Sequence, residues 1–330
     1  MTFGKTALRM LTAGSALLVA SLAFAQMPGE GKSVQPITSG QVNHVFQHEV
    51  LRLGLEALGY KVKPALEADY PALHLAIGQG QADYTANHWV PLQQSFFDAA
   101  GGNDTMERVG LYIAGASQGY FIDKATAEKY HIKSLDQFAS PDIAKLFDSD
   151  GDGKANLAGC NPGWGCEREI EHQLDAYKLR DTVTHDQGSY FALIADLITR
   201  YKAHQPIFYY TWSPLWVGAV LQPGRDVVQL NVPFSAATDG GDTALPDGTN
   251  PGFKVNDIYI LANKKFLADN PAAKKFFQLV KMPIEDVNAE ILREHDGADK
   301  PEQITQSAKD WVARHQAEFD GWVKEAAAAK

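Results

Sequence analysis

The sequence has few cysteines, no basic run and no apolar stretch of membrane-spanning length beyond its N-terminus. Its 330 residues include two cysteines, Cys160 and Cys166, and 30 lysine and arginine residues against 40 aspartate and glutamate residues. An acidic chain without a basic cluster argues against nucleic acid or an anionic membrane surface as a partner. A membrane-spanning helix needs roughly 18 consecutive apolar residues. The composition therefore predicts a soluble protein.

Motifs that carry common enzyme chemistry are scarce. The sequence contains no H-E-x-x-H zinc motif, and Gly115-Ala116-Ser117-Gln118-Gly119 matches G-x-S-x-G only within the extended segment 111–122, without the strand-to-helix turn of a nucleophile elbow. The two cysteines are expected to be paired with one another, which removes them as nucleophiles. The sequence thus predicts a protein that is not an enzyme and that needs no cofactor.

The N-terminus reads as a secretory signal peptide. Lys5 and Arg9 form a basic start, residues 11–24 are apolar and small, and Ala23-Phe24-Ala25 is a small-residue cleavage site. This pattern is too short and wrongly flanked for a membrane anchor. We expect residues 1–25 to be removed on export.

Strand and helix patterns alternate over the first hundred residues. Apolar β-type runs at 33–36, 60–62 and 82–89 are each followed by a helical pattern, at 41–58, 72–77 and 91–100. Such alternation predicts an α/β fold with parallel strands joined by helical crossovers.

Two further extended segments predict a division into two lobes. Residues 111–122 and 255–262 read as crossovers between the lobes, with a ligand cleft between them. We predict lobe 1 to comprise residues 26–112 and 258–330, and lobe 2 to comprise residues 113–257. About 300 residues after cleavage are enough for two lobes with cores of their own.

A short pattern, W-x-P-L, occurs once in each predicted lobe. It starts at Trp89 and at Trp212, each time after an apolar strand. We expect Pro91 and Pro214 at the first position of a helix, with Ser213 as an N-cap. Both indoles then lie at the carboxyl end of a strand, where open α/β sheets bind their ligands.

The two cysteines close a loop that holds a third tryptophan, Trp164. In an exported protein this pair predicts a disulfide, with roughly 2 kcal/mol of stabilisation from chain entropy. Its more useful effect is local, because it fixes the backbone that carries the indole. A helix is predicted from Glu167, so backbone N–H groups at Gly165 and Cys166 precede a helix N-terminus and suit a carboxylate.

Aromatic faces around a cavity suit a quaternary ammonium, which has no hydrogen-bond donor and is weakly hydrated. Trp89, Trp164 and Trp212 are all expected on turns or strand ends. Together with the N–H groups after Trp164 they predict a site for a zwitterion with a methylated ammonium and a carboxylate. Sugars also stack on tryptophan, so a secreted carbohydrate-active protein stays open as an alternative.

Three segments carry a resemblance that covers essentially the whole exported chain. N-H-W-V-P-L, G-D-G-K-A-N-L-A-G-C-N-P-G-W-G-C-E and F-Y-Y-T-W-S-P-L-W are similar to the periplasmic glycine betaine/proline betaine-binding proteins of osmoprotectant ABC importers. The resemblance implies a two-lobed periplasmic binding protein of type II. It also implies a box of Trp89, Trp164 and Trp212 for the ammonium, with the N–H groups of Gly165 and Cys166 on the carboxylate.

One position departs from that family. The family places a histidine on the carboxylate four residues after the first box tryptophan, and this sequence has Gln93 there. Glutamine donates a hydrogen bond but carries no charge, so we expect pH dependence and affinity to differ. His88 is adjacent to Trp89, and on a strand its side chain is expected to point the other way.

Two clusters of possible metal ligands are weighed against simpler interpretations. Asp148, Asp150, Asp152 and Asn156 match the first nine positions of a calcium loop, but Gly159 stands where the bidentate glutamate belongs. A solvated acidic turn is the alternative. His44 and His48 are one helical turn apart and suit zinc, although a solvated helix face is the favoured interpretation.

We therefore predict a periplasmic solute-binding subunit that captures glycine betaine, and also proline betaine, and delivers it to an ABC permease in the inner membrane. It is expected to act as a monomer. Carnitine or choline is the alternative ligand within the same class.

Overall fold

The computed structural model describes residue 1, residues 27–41 and residues 44–329. Apart from its first residue, the predicted signal peptide at 1–25 lies outside the described residues. None of the described helices is both long and apolar enough to cross a membrane.

Short strands and helices alternate up to residue 99, and helices dominate after residue 264. The strands are β1 (Ser33–Val34), β2 (Ile37–Thr38), β3 (Lys61–Val62), β4 (Leu66–Glu67), β5 (Tyr84–Val90), β6 (Met106–Asp123), β7 (Ala155–Ala158), β8 (Val183–Asp186), β9 (Phe208–Ser213), β10 (Val227–Gln229) and β11 (Asn256–Asn263). The helices are α1 (Val45–Ala57), α2 (Tyr70–Gly78), α3 (Gln94–Ala99), α4 (Gly102–Thr105), α5 (Lys124–Tyr130), α6 (Pro141–Ala144), α7 (Gly165–Ala176), α8 (Tyr190–Lys202), α9 (Val217–Val220), α10 (Lys264–Asp269), α11 (Pro271–Leu279), α12 (Ile284–His295), α13 (Pro301–Arg314) and α14 (Gln316–Ala327).

A central sheet organises the described part of the chain. Its strands follow the order β5, β11, β6, β9, β7 and β8, and β10 pairs separately with β6. The long strand β6 changes neighbours along its length. Its first part, up to Ala116, pairs with β11, and its second part, from Ser117 to Ile122, pairs with β9. One strand therefore runs through both halves of the sheet.

The prediction of parallel strands is only partly right. β11 pairs antiparallel with both β5 and β6, and β6 pairs antiparallel with β9. Parallel pairing occurs between β7 and β8, between β7 and β9, and in the two small pairs β1–β3 and β2–β4. Since β5 and β6 both run antiparallel to β11, they run parallel to one another, as a helical crossover requires. Alternation describes consecutive elements, whereas β11 arrives from far along the chain and inserts between them.

The expected helix starts after the W-x-P-L tryptophans are wrong. Pro91 lies in a turn ahead of α3, and Pro214 lies in a bend three residues ahead of α9. The peptide bonds before both prolines are cis. Each W-x-P-L segment therefore forms a turn that leaves the strand, and Ser213 ends β9 instead of capping a helix. The placement of both indoles at strand ends is unaffected by this correction.

Helices cover the sheet and complete the core. The first helix, α1, ends as the sequence predicts, because Gly59 adopts a φ of 90°, which glycine alone tolerates well. It buries Phe46, Val50, Leu51 and Leu55 and packs against α13, while α11 packs against α14. The predicted lobe boundaries, after residues 112 and 257, fall inside β6 and β11, the two long strands shared by the sheet.

Candidate functional site

A cavity lies where β5, β9 and the start of α7 meet. It encloses about 380 Å³ of empty space, including its mouth. Its lining residues are Gln41, His44, Tyr70, Trp89, Leu92, Gln93, Trp164, Gly165, Cys166, Tyr210 and Trp212. The structure thus brings together all six residues that the sequence predicts for ligand contact.

Tyrosine and tryptophan rings form a large part of the cavity wall. The ring of Trp164 stands nearly perpendicular to that of Trp212, with centroids 5.8 Å apart and 74° between the planes. Tyr70 meets Trp164 in the same way, at 6.1 Å and 76°. Rings set at right angles present faces in several directions around one space. A compact cation placed there contacts negative π-faces without needing a hydrogen-bond acceptor.

The sheet places two of the three tryptophans. Trp89 is the next-to-last residue of β5 and opposes Ile258 of β11, while Trp212 is the next-to-last residue of β9 and opposes Gln118 of β6. Both indoles are buried. Tyr190 packs behind Trp212, with ring centroids 4.5 Å apart. Paired strands therefore hold both rings with little freedom to move.

The cysteine loop places the third tryptophan. Cys160 and Cys166 form the predicted disulfide, with Cα atoms 6.1 Å apart. Trp164 is the N-cap residue of α7, and its indole cannot accept a hydrogen bond from the first turn. The N–H groups at the start of a helix have no intrahelical acceptor, so Gly165 and Cys166 have donors for an anion.

Polar side chains support the loop from behind, and among them that of His185 is buried while those of Glu171 and Arg180 are partly exposed. The N–H of Cys160 donates to Nε2 of His185 over 3.2 Å, so the proton of this imidazole is on Nδ1. That nitrogen donates to Glu171 Oε1 over 2.7 Å, and Glu171 also pairs with Arg180. Burial lowers the pKa of His185, which stays neutral. The loop is therefore tied down by hydrogen bonds as well as by the disulfide.

Gly165 lies unusually close to the opposite side of the cavity. A Cβ atom on this residue would be 2.8 Å from Leu92 Cγ and 2.8 Å from the Leu92 carbonyl oxygen. Real Cβ atoms do not approach backbone oxygens so closely. Only glycine therefore lets α7 begin this near to the segment after β5.

Gln93 is buried beside the first tryptophan. The side-chain Oε1 of Gln93 accepts from the backbone N–H of Trp89 over 3.2 Å, and the backbone N–H of Gln93 donates to the Trp89 carbonyl over 2.9 Å. Because Oε1 is used in this way, Nε2 is the end of the amide that remains for other contacts. The glutamine amide therefore carries no charge at the position where the family resemblance places a histidine.

A chain of imidazoles supports this side of the cavity. The Tyr70 carbonyl only accepts, so His74 Nδ1 donates to it over 2.7 Å, and His74 Nε2 accepts from His88 Nδ1 over 2.9 Å. His88 Nε2 then accepts from Arg108 Nε over 3.0 Å. Burial lowers the pKa of His74 to about 4 and that of His88 well below its ordinary value. As predicted, His88 points away from Trp89 and does not line the cavity.

Comparison with known families agrees with this geometry. Residues 32–314 match OpuAC, described as the substrate binding domain of ABC-type glycine betaine transport system. The chain belongs to this family. Its members are substrate-binding proteins of transporters, not enzymes, and they need no cofactor.

Individual relatives cover nearly all of the chain. The glycine betaine-binding periplasmic protein OusX of Dickeya dadantii (strain 3937) is 49% identical over 306 residues, which is 92% of each protein. The glycine betaine/proline betaine-binding periplasmic protein of Escherichia coli (strain K12) is 47% identical over 321 residues, or 97% of each. A solved ABC-transporter choline-binding protein in complex with choline superposes with a TM-score of 0.69 at 16% identity, covering 89% of this chain and 92% of that one. The fold is thus the two-lobed α/β fold of type II periplasmic binding proteins.

Five residues that line the cavity were not predicted from the sequence as ligand contacts: Gln41, His44, Tyr70, Leu92 and Tyr210. Tyr210 had a usable signal, because it is two residues before Trp212 on β9 and so shares its face. The expectation that His44 and His48 lie on a solvated helix face is wrong. They are 4% and 8% exposed, because this side of α1 turns inward.

The acidic loop lies away from the cavity. One oxygen each of Asp148, Asp150 and Asp152 fall within 4.8 Å of one another. Backbone N–H groups already donate to these carboxylates, including two to Asp148, over 2.7 Å from Gly151 and 2.9 Å from Gly153. These hydrogen bonds lower the pKa of Asp148. The fourth predicted ligand, Asn156, accepts from the N–H of Ser149 over 2.7 Å.

Proposed function

We propose that this chain is the periplasmic substrate-binding subunit of an ABC importer, and that it captures glycine betaine and proline betaine for osmoprotection. One observation carries the proposal: a single cavity joins Trp89, Trp164 and Trp212 to the N-terminus of α7. Membership of the family and relatives of 45–49% identity support the ligand class.

Both poles of the ligand are needed to account for useful affinity. Each desolvated aromatic face contributes about 1–2 kcal/mol to a cation. Three faces therefore fall short of the roughly 8 kcal/mol that micromolar binding requires. The N–H groups of Gly165 and Cys166, at the positive end of a helix, favour the carboxylate and provide the remainder. The disulfide holds these donors at a fixed distance from the Trp164 face.

Closure of two lobes fits the distribution of the cavity residues. Trp89 and Gln93 belong to the proposed lobe 1 (residues 26–112 and 258–330), while Trp164 and Trp212 belong to the proposed lobe 2 (residues 113–257). Closing the lobes excludes water and strengthens the electrostatic interactions at both poles. The closed, loaded monomer then docks on its membrane permease.

Calorimetry on the exported chain tests the ligand. We expect one binding site for glycine betaine and for proline betaine, much weaker binding of choline, and no heat with a panel of sugars. Choline lacks the carboxylate and leaves the α7 donors unused. The described cavity lining has none of the charged side chains that sugar sites use for hydroxyl groups. Absence of any heat with both betaines contradicts the proposal.

Replacement of Trp164 tests the box. Trp164→Ala is expected to weaken glycine betaine binding by about 5- to 30-fold, the equivalent of one cation–π face of about 1–2 kcal/mol. Trp322→Ala is the matched control, because Trp322 is also half-buried but lies on α14 outside the cavity. Equal affinity of the two variants would remove Trp164 from the box.

Calcium at the acidic loop remains a separate prediction. The spacing of Asp148, Asp150 and Asp152 supports it, and the glycine at the twelfth loop position speaks against it. A calcium titration followed by thermal unfolding distinguishes calcium binding from a solvated acidic turn. A rise in melting temperature that Asp150→Asn abolishes is expected if the ion binds, and an unchanged melting temperature argues for a solvated acidic turn.

A further inference from the structure

The donors for a ligand carboxylate are unevenly distributed around the cavity. On the α7 side they are backbone N–H groups. On the facing side no arginine or lysine lines the described cavity, and the neutral side chains there include Gln93 and His44. A carboxylate held from one side only would leave part of its hydrogen-bonding capacity unused in a dry site. This inference rests on the proposed function and concerns the same cavity.

His44 is built into the cavity wall. It is the N-cap residue of α1 and only 4% exposed. Its Nδ1 lies 3.0 Å from the hydroxyl of Ser39. Its Nε2 has no hydrogen-bond partner among residues 27–41 and 44–329, and it is not among the fully enclosed polar atoms that lack one. Because His44 lines the cavity, Nε2 is the ring nitrogen that remains, among the described contacts, for a ligand.

The imidazole of His44 is neutral. Burial, and secondarily the neighbouring His48, lower its pKa to about 3. The phenol of Tyr70 in the same wall is neutral as well, because burial raises its pKa to about 12. When the Ser39 hydroxyl donates to Nδ1, the proton of the imidazole is on Nε2. In that tautomer His44 is a donor that carries no positive charge.

We propose that His44, through Nε2–H, is a second side-chain donor to the ligand carboxylate, opposite the α7 N-terminus and alongside Gln93. Charge neutrality matters because the same small cavity holds the ammonium group. A charged imidazolium would attract the carboxylate but repel the cation a few ångströms away. A neutral donor satisfies one pole without weakening the other.

Three variants separate this role from a structural one. His44→Phe keeps an aromatic ring and removes the donor, and we expect glycine betaine affinity to fall about 10- to 100-fold, as for one hydrogen bond to a charged group. His44→Gln retains a donor and is expected within about 5-fold of the parent. His48→Gln is the matched control, since His48 is buried one turn further on the same helix but does not line the cavity.

A ligand without a carboxylate gives the decisive readout. For choline, measured by competition, His44→Phe is expected to change affinity by less than about 3-fold, so the preference for betaine over choline falls. Equal losses for both ligands would mean that His44 only maintains the shape of the cavity and would overturn the proposal. Unchanged glycine betaine affinity in a folded His44→Phe protein overturns it as well.

Ser39→Ala provides a variant that leaves the ring in place. Without the hydroxyl, either ring nitrogen of His44 can carry the proton. We therefore expect the affinity for glycine betaine to fall a few-fold and the affinity for choline to stay unchanged. If His44→Phe does not fold, an unchanged affinity in Ser39→Ala contradicts the proposal. If the parent protein itself gives no heat with glycine betaine, the proposed function fails first, independently of His44.

Discussion

The two walls of the cavity hold their aromatic rings by different chemistry. The disulfide wall comprises Cys160–Cys166 with Trp164, and His185 behind it. The histidine wall comprises Tyr70 and Trp89, with the imidazoles of His74 and His88 behind them. A covalent bond closes the first, whereas a one-way series of hydrogen bonds from Arg108 to the Tyr70 carbonyl closes the second. The comparison shows that a rigid binding site does not require one kind of constraint throughout.

The two walls accordingly differ in what weakens them. Reductant acts on the disulfide wall alone and leaves imidazoles untouched. Acid protonates imidazoles, of which the histidine wall has two, His74 and His88, and the disulfide wall has one, His185, and it leaves the disulfide untouched. His44 and His48 add to the acid-sensitive side, because both are buried and neutral beside the histidine wall.

Acid is expected to have the largest effect. In the folded chain His74 and His48 titrate near pH 4 and His44 near pH 3, whereas unfolded histidines titrate near about 6.5. Between these pH values the unfolded chain binds more protons than the folded chain. The contribution of these histidines to the free energy of unfolding is therefore fully present above pH 6.5 and is lost as the pH falls toward 4. Each histidine contributes a slope of up to about 1.4 kcal/mol per pH unit, so several kcal/mol are lost by pH 5.

Urea unfolding at pH 7, 6 and 5 measures this slope. His48→Gln is expected to reduce this slope by about one proton. Hydrogen exchange at pH 5 is expected to show loss of protection in residues 70–90 before residues 158–170. A stability that is flat from pH 7 to pH 5 would remove the distinction between the walls.

The contact between the two walls is the next target. Gly165→Ala places a methyl group against the Leu92 carbonyl oxygen, so the walls cannot approach as closely. We expect glycine betaine affinity to fall about 100-fold, equivalent to about 2.7 kcal/mol. Stability is expected to change little, since alanine favours a helix more than glycine does.

Gly188→Ala is the control for this prediction. A Cβ atom at Gly188 meets no described atom within 4 Å, and its backbone is not left-handed. Calorimetry on the two variants is the measurement. Tight binding by Gly165→Ala would show that the walls do not need this close approach.

Removal of the disulfide has the smallest expected effect. The Cys160→Ser, Cys166→Ser double variant is expected to lose about 2 kcal/mol of unfolding free energy, because the closed loop is short. The backbone N–H at position 166 is retained, so we expect affinity for glycine betaine to fall by about 10-fold at most. Thermal unfolding and calorimetry, with the parent protein in reductant as the comparison, measure both quantities.

An unchanged affinity for glycine betaine in the double variant would alter the comparison of the two walls. It would mean that His185 and Glu171 alone hold the loop, and that both walls depend on buried imidazoles.

The sequence anticipates much of the disulfide wall and little of the histidine wall. Cys160, Trp164, Gly165 and Cys166 lie within one short segment, residues 160–166, so spacing alone predicts their proximity. Tyr70 and His44 reach the same cavity from α2 and α1, and no local pattern marks them as cavity residues. The sequence even predicts His48 on a solvated face, because Arg52 follows it one helical turn later, whereas in the structure His48 is buried.

Local patterns by themselves determined the α/β class, most helices and strands, the disulfide and the placement of three indoles at strand ends or turns, because these depend on short-range periodicity and spacing. Tertiary structure decided that β11 inserts between β5 and β6, and that W-x-P-L forms a turn without a helix start. It also decided that buried, neutral histidines support one side of the cavity. Burial sets the charge of an imidazole, and burial depends on which distant segments pack together.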